Sequence, residues 1–452
     1  MDSERTVIRQ VTFRILPLVW IVVFFAALDR SNLSFAALQM NKDIGLGAEA
    51  FGFGAGLFFI PYALFAVPSN LMLQKLRPRI WIPVLMASWG LVSSAMAFID
   101  GRATFFVLRF LLGVTEAGVN PAAFYLLSLW FPSQHRATAM GQMHWAQLVS
   151  LVLGAPISGV LLSVKAFGLA GWQTMFLAEG LPVIILALGI FFCLEEDVAK
   201  VTWLKPDQKN WLIETHAADE QRRTDQDAPG TFGKVFKSPI VWLLIAFYAF
   251  QSMSYYGQSL WLPQILKELT GLSDVEVSFA TALPYFLGGI STFVVGRLSD
   301  SSGHRRLVLS LCMFSTALGS AVSGLGPSPF LQYLGYCIST AAMWGLIGVF
   351  WAVASDALKG AAVAGGIALI TGTGNLLSFP APYFIGWVRA HTDGFSGALI
   401  VMAILQLFAS TLPALLPRKV DRRTNLDPRA QLTTVPNDDD PQNAARSLRR
   451  MG

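Results

Sequence analysis

The sequence predicts an all-α integral membrane protein with twelve transmembrane helices in two six-helix, pseudo-symmetric bundles. Three observations predict it. Of 452 residues, 54% are hydrophobic and only 13% charged, and the mean hydropathy is +0.53, well past ordinary soluble domains. Apolar runs of membrane-spanning length recur from Ile15 to Leu416. The basic residues, finally, fall almost wholly into alternate loops.

A helix rises about 1.5 Å per residue, so about 20 apolar residues cross about 30 Å of hydrocarbon. Six such segments lie at 15–38, 50–73, 81–99, 103–129, 138–163 and 174–194, giving a first bundle over 1–194. Six more lie at 239–266, 276–298, 306–326, 330–354, 362–388 and 394–417, a second bundle over 239–417. The first segment follows Arg5, Arg9 and Arg14 as a signal peptide would. It is too long for one, lacks a small-residue cleavage site and is followed by eleven more, so it is read as retained. Between the bundles, 195–238 mixes both charge signs and carries Pro206, Pro229 and Gly230, as suits a cytoplasmic linker with one surface helix. The polar residues 418–452 read as a disordered cytoplasmic tail.

Of 33 Lys and Arg residues, 26 fall on the side of the termini, and only Lys42, Arg102, Lys165, Lys267 and Arg389 fall on the other. The bias places both termini in the cytoplasm of a multi-pass plasma membrane protein, of the bacterial inner-membrane kind. The remaining two, Arg30 and Arg109, lie inside segments. The net charge of +5 therefore forms no concentrated patch, and nucleic acid is not an expected partner. Cys193, Cys312 and Cys337 sit in apolar runs without CxxC or metal spacing, so no disulfide framework, metal or cofactor is expected.

Six segments, a linker and six more suggest a duplicated bundle, a plan that places a transported ligand near the bilayer midplane between halves. After the eighth segment, residues 296–306 read GxxxDxxGxRR, with Gly296, Asp300, Gly303, Arg305 and Arg306 at the marked positions. Glycines permit a tight turn and close helix contact, while the acid and bases can pair or meet helix ends at the membrane surface. This loop resembles the inter-helix signature of the major facilitator superfamily, and its implied role is gating. The first-half counterpart, Ser69 to Arg79, keeps Lys75, Arg77 and Arg79 but has Ser69 and Leu73 in place of the first glycine and the acid. A weaker latch is expected there.

Longer stretches narrow the likeness: LDRSNLS from Leu28, RFLLGVTEAG from Arg109, GWQTMFLAEGLP from Gly171, the run from Tyr255 to Tyr285, and GTGNLLSFPAPYFIGW from Gly372. Together they resemble the anion:cation symporters of organic acids over most of 10–417. That resemblance implies alternating access and, commonly, uptake of carboxylates with protons. Two stretches depart from it, VNPAAFYLL after Gly118 and SFPAP at Ser378–Pro382, and His144 is not expected from it. The chemistry of the cavity is expected to differ accordingly.

Four charges lie inside the first and fourth segments: Asp29, Arg30, Arg109 and Glu116. Each ionised group costs several kcal/mol in hydrocarbon unless it pairs, meets water or neutralises. Arg109 and Glu116 are seven residues apart, about 10.5 Å along one helix face, too far for a tight pair. One reading is a pair of interhelical salt bridges that only fix packing. The functional reading is a low-dielectric cavity in which an arginine fork receives a carboxylate and the acids take up protons. The resemblance implies Arg30 as carboxylate anchor, Asp29 and Glu116 as protonation sites, and Arg109 as the partner that switches proton affinity.

Asn32 and Tyr62 are candidates for hydrogen bonds to substrate, as are Gln147, Tyr256, Gln258 and Asn375, although helix-to-helix bonds would explain each equally. Glu179 and Asp356 read as structural or gating residues. The sequon Asn32-Leu33-Ser34 lies inside a segment, out of reach of glycosylation. No HExxH, GxSxG, P-loop or dinucleotide fingerprint stands in its required context, so an enzyme is not expected. The expectation is a secondary active transporter that takes up a small organic acid anion with protons and works as a monomer in the lipid bilayer. The alternatives are an antiporter or exporter of anionic compounds, and a membrane nutrient sensor, for which linker and tail are short.

Overall fold

The structure is a computed structural model that describes residues 2–226, 238–358, 362–392, 394–417 and 421. Pro229, Gly230 and all of the expected tail except Asp421 lie outside the described residues. Sixteen helices are described: α1 (Asp2–Asp43), α2 (Ala48–Leu57), α3 (Phe59–Leu76), α4 (Pro78–Ala95), α5 (Arg102–Glu116), α6 (Val119–Trp130), α7 (Ser133–Ser163) and α8 (Gly171–Cys193) form the first bundle. α9 (Pro206–Gln226) lies in the linker. α10 (Pro239–Thr270), α11 (Asp274–Ser302), α12 (Arg305–Leu325), α13 (Pro329–Ala357), α14 (Ala362–Leu376), α15 (Pro380–His391) and α16 (Ser396–Thr411) form the second.

Eleven stretches among the described residues are long and apolar enough to cross a membrane. The expected segment 362–388 is instead a broken pair, α14 and α15. Pro380 has no amide hydrogen to continue the ladder, and the chain turns at 377–379, where Ser378 N–H donates to Asn375 O at 3.1 Å. Two other crossings are also interrupted. α2 gives way to α3 at Phe58, and α5 gives way to α6 after Glu116, where Pro121 likewise cannot donate. At that second break a Cβ on Gly118 would stand 1.9 Å from Ser69 Oγ, so glycine is what lets α3 approach.

Buried apolar side chains form three clusters whose membership describes the shape. One has all its buried members in the first bundle and its linker, from Val7 to Leu212, with Trp89 and Trp130 fully buried and Tyr256 and Phe379 of the second bundle packed against it. Another draws only on the second, from Val241 to Leu416. The third joins both bundles, with Phe51, Phe105 and Trp172 on one side and Trp261, Tyr336 and Ile385 on the other. It sits at the membrane face away from the termini. The halves therefore share one core at this distal end and have separate cores toward the termini.

The distal seal is close and partly backbone to backbone. A Cβ on Gly52 would lie 2.4 Å from Pro382 O, one on Gly56 2.5 Å from Phe379 O, and one on Gly386 2.4 Å from Ala48 O. Small residues let α2 and α15 approach in this way. Trp261 Nε1 donates to Pro382 O at 3.1 Å, Tyr383 to Glu49 at 3.1 Å, and Gln39 to Asp274 at 2.8 Å.

The loop signature forms only part of the arrangement expected of it. Gly303 ends α11 with φ +70°, the left-handed cap that favours glycine. Gly296, by contrast, faces open space and makes no close helix contact. Asp300 is exposed and takes neither arginine. Buried Arg305 pairs with Asp356, and Arg306 pairs with Asp421 at 2.8 Å and donates to Leu416 O at 2.8 Å. In the first half Arg77 occupies the left-handed region at φ 68° and meets Glu196 at 3.5 Å.

The linker docks on the first bundle through Trp203, stacked on Trp130 at 5.5 Å, and through buried Leu204 and Leu212. Asp219 accepts from Ser133 N–H and Oγ, both at 2.7 Å, at the start of α7. Desolvation opposes the charged form of Asp219, but these bonds and the Arg136 and His216 charges outweigh it and hold its pKa below the ordinary 3.8. A depressed carboxyl pKa stabilises above the unfolded value and is lost as pH falls through the folded one. Docking of α9 is therefore expected to be constant at neutral pH and to weaken only below about pH 4. Asp219→Asn should remove that acid dependence and raise amide exchange across Pro206–Gln226; unchanged exchange would show that the apolar contacts alone suffice.

Candidate transport site

The midplane of the first bundle holds the buried charges. Arg30 Nε donates to Glu116 Oε2 at 2.7 Å, joining α1 to the last residue of α5. The guanidinium lies over the Tyr62 ring at 5.1 Å, and its Nη2 has no partner. Arg30 keeps 15% side-chain exposure whereas Glu116 has none, so the arginine is the member of the pair that reaches open space.

Arg109 does not form the second salt bridge of the packing reading. Its Nε donates to Gly54 O at 3.3 Å and its Nη2 to Ala55 O at 3.1 Å. The break at Phe58 ends α2, and the last carbonyls of a helix lack intrahelical partners and carry its negative pole. A cation there satisfies both needs. The Arg109 guanidinium also lies 5.0 Å from the Phe58 ring centre.

Asp29 has no cation within ion-pair distance among the described residues. It accepts hydrogen bonds from Ser93 and, at 3.3 Å, from Asn32, while its Oδ2 has no donor. Its carboxyl and that of Glu116 lie within hydrogen-bonding reach of each other. Two adjacent carboxyls in low dielectric do not both ionise readily.

The two arginines, but neither acid, line a small cavity of about 40 Å³ at the contact of the two bundles. Arg30, Arg109, Gln147 and Tyr256, all read from the sequence, line it, and so do Tyr255, Ser259 and Tyr285, which were not singled out. Tyr255 and Tyr285 bound a run quoted for its resemblance; a count of aromatic residues facing one helix stripe was the available signal. Tyr62 stands beside the cavity, its ring under Arg30 and its hydroxyl accepting from Asn120 at 3.2 Å.

Three candidates lie elsewhere. Asn32 is buried against the Asp29 carboxyl. Gln258 faces into the second bundle, donating to Ser320 at 2.8 Å and accepting from Ser339 at 3.1 Å, while its backbone carbonyl accepts from Tyr336. Asn375 stands in the last turn of α14 and does not line the cavity. His144 Nδ1 meets Met140 O of its own helix at 3.0 Å and does not line it either.

Comparison with known proteins places the chain in a family. The family model described as Major Facilitator Superfamily matches residues 19–273 and again residues 248–451. The chain belongs to the major facilitator superfamily. It is 38% identical over 424 residues to a "Quinolone resistance transporter" of Acinetobacter baumannii, covering 94% of this chain and 98% of that one. It is 39% identical over 429 residues to a "Putative tartrate transporter" of Agrobacterium vitis, covering 94% and 95%. Among solved structures, a bacterial homologue of the human lysosomal transporter Spinster, described as inward-facing and occupied, has a TM-score of 0.74 at 16% identity, covering 89% and 96%. At that identity the likeness concerns the fold alone. This major facilitator chain is thus a multi-pass membrane transporter of small molecules and not an enzyme.

Proposed function

We propose that this transporter takes up a small organic carboxylate with protons by alternating access, as a monomer in a bacterial inner membrane with both termini cytoplasmic. The observation that carries the reading is Arg30: a residue that lines the cavity, keeps a buried Nη2 without a hydrogen-bond partner, and is bonded to a carboxyl that is itself beside a second carboxyl. A carboxylate arriving at Arg30 competes with Glu116 for the same fork. Protonation of Glu116 relieves the competition, which couples the proton to the substrate. Arg109, held by the α2 carbonyls close to the same cavity, adds a fixed positive charge that both acids sense. Tartrate, named for one relative, is a carboxylate, which supports the class.

Importing a monoanion against an inside-negative potential costs roughly 2.3 kcal/mol per 100 mV, and two protons make the step net positive. With the termini inside, the shared core at the distal end closes the outer face, and the separate cores of the two bundles lie toward the cytoplasm.

Reconstituted protein should accumulate one class among sugar acids, hydroxy-dicarboxylates and aromatic acids when an inward proton gradient is imposed, and an uncoupler should abolish the accumulation. Glu116→Gln should retain counterflow and lose gradient-driven accumulation. Concentrative uptake by that variant at the wild-type level removes Glu116 from coupling. A second reading, export or antiport of anionic compounds, is favoured by the resistance relative. Substrate efflux driven by an opposing proton gradient, without symport in either direction, would select it.

A further inference from the structure

One buried acid takes no part in the site as described. Glu179 on α8 is 4% exposed, and no basic side chain lies within ion-pair distance of it among the described residues. Its Oε1 accepts from Ser158 of α7 at 2.8 Å, and its Oε2 has no donor. The Asn32 side chain lies within hydrogen-bonding reach of Glu179 and also donates to Asp29. Asp29 is the one charged group that acts on it; from α4 the neighbouring Ser93 bonds Asp29, and Ser94 packs against Gly180. The close approach of α4 and α8 at Gly90 and Gly180 holds this acid against α1.

The contacts therefore form a file inside the first bundle: Ser158, Glu179, Asn32, Asp29, Glu116, Arg30. Counting helix rise, Asp29 lies about 21 Å from the distal end of α1 and Glu179 about 12 Å from the distal end of α8. The file thus runs from the distal third toward the cavity and is separate from the cleft between the bundles through which a substrate must pass. An ionised carboxylate so placed costs several kcal/mol without a cation, so the resting form carries a proton.

We propose that Glu179 is a third proton-binding site of the transport cycle, the distal member of the carboxyl file that exchanges protons with Asp29. The inference rests on the proton-coupled reading given above. When Glu179 gives up its proton, its O–H bond is broken and one is formed on Asp29; the negative charge moves the other way, and the Asn32 amide, bonded to Asp29, stands between the two acids. A purely structural Glu179 would instead keep its proton and serve only as a hydrogen-bond partner of Ser158.

Glu179→Gln separates the two, because glutamine preserves the shape and the Ser158 bond of the neutral acid while removing the exchangeable proton. Each coupled proton multiplies equilibrium accumulation by about ten per unit of pH gradient. In proteoliposomes with a one-unit inward gradient, Glu179→Gln should lower accumulation about ten-fold relative to its own counterflow rate, and Glu179→Asp should restore most of it. Accumulation by Glu179→Gln at the wild-type level overturns the proposal and leaves proton coupling at Glu116 standing. Equal loss of counterflow and accumulation in both the Gln and Asp variants makes the position structural and also overturns it. Absence of gradient-driven accumulation in the wild-type protein removes the proposal together with the reading beneath it.

Discussion

Arg30→Ala should abolish carboxylate binding and transport, the largest loss expected of a single substitution here. Arg30 lines the cavity and keeps a buried Nη2 without a hydrogen-bond partner, and it also balances Glu116, which is fully buried. Truncating one partner of a buried, hydrogen-bonded charge pair costs about 2–5 kcal/mol. In affinity this is roughly 30-fold to several thousand-fold. Arg30→Lys should recover little, since a lysine ammonium is a point charge that cannot hold Glu116 and a substrate carboxylate in one planar fork. Equilibrium binding of a labelled carboxylate to purified protein checks this. Because the alanine variant strands the Glu116 charge, Arg30→Ala combined with Glu116→Gln provides the folded control; binding within about three-fold of wild type in that pair would remove Arg30 from the site.

Gly52→Val should arrest the cycle by a different route, with the substrate site left intact. The added Cβ alone would stand 2.4 Å from Pro382 O, and backbone at that distance has no side-chain rotamer through which to yield. Overpacking costs about 1–3 kcal/mol in tolerant cores. At the upper end it shifts the population of the distally sealed state roughly a hundred-fold. Transport requires that state once per cycle, so uptake should fall by a comparable factor while carboxylate binding persists. A cysteine introduced at Ala381, 1% exposed beneath the seal, reports on the closure. In a background without Cys193, Cys312 and Cys337, it should react faster with an impermeant maleimide when Gly52→Val is present than when it is absent. Unchanged labelling together with unchanged uptake would mean that α2 and α15 can seal at a greater distance.

The two arrests differ in what they leave behind: Arg30→Ala removes affinity in every conformation, whereas Gly52→Val removes one conformation and preserves affinity in the other. Measuring binding and labelling on both variants separates the anchor from the gate.

Several particulars show how far the sequence could be read. Segment positions followed from hydropathy averaged over about 20 residues, because the bilayer demands that length of apolar helix wherever the chain crosses. The same averaging hid the breaks at Phe58, after Glu116 and at 377–379, each a local matter of a few residues. Asp29, Arg30, Arg109 and Glu116 stood out because charge in a membrane segment is costly. Their partners did not. Arg109 is satisfied by Gly54 and Ala55 carbonyls that exist as free acceptors only because α2 stops, and no side-chain pattern announces a backbone partner. Gln258 carried the same sequence signal as Gln147, yet it bonds Ser320 and Ser339 while Gln147 lines the cavity. Ser93 and Ser158, which hold two of the buried acids, were invisible among other serines in apolar helices.

By itself, then, the sequence determined that this protein lives in a membrane, roughly where it crosses, and which charges had to be accounted for, since the transfer of polar groups into hydrocarbon is a large energy fixed by residue type. Tertiary structure alone decided which of those charges meet, which end of the molecule is closed, and that Glu179 stands in line with Asp29. Those outcomes depend on contacts of a few ångströms between distant segments, worth little each and set only when the helices pack.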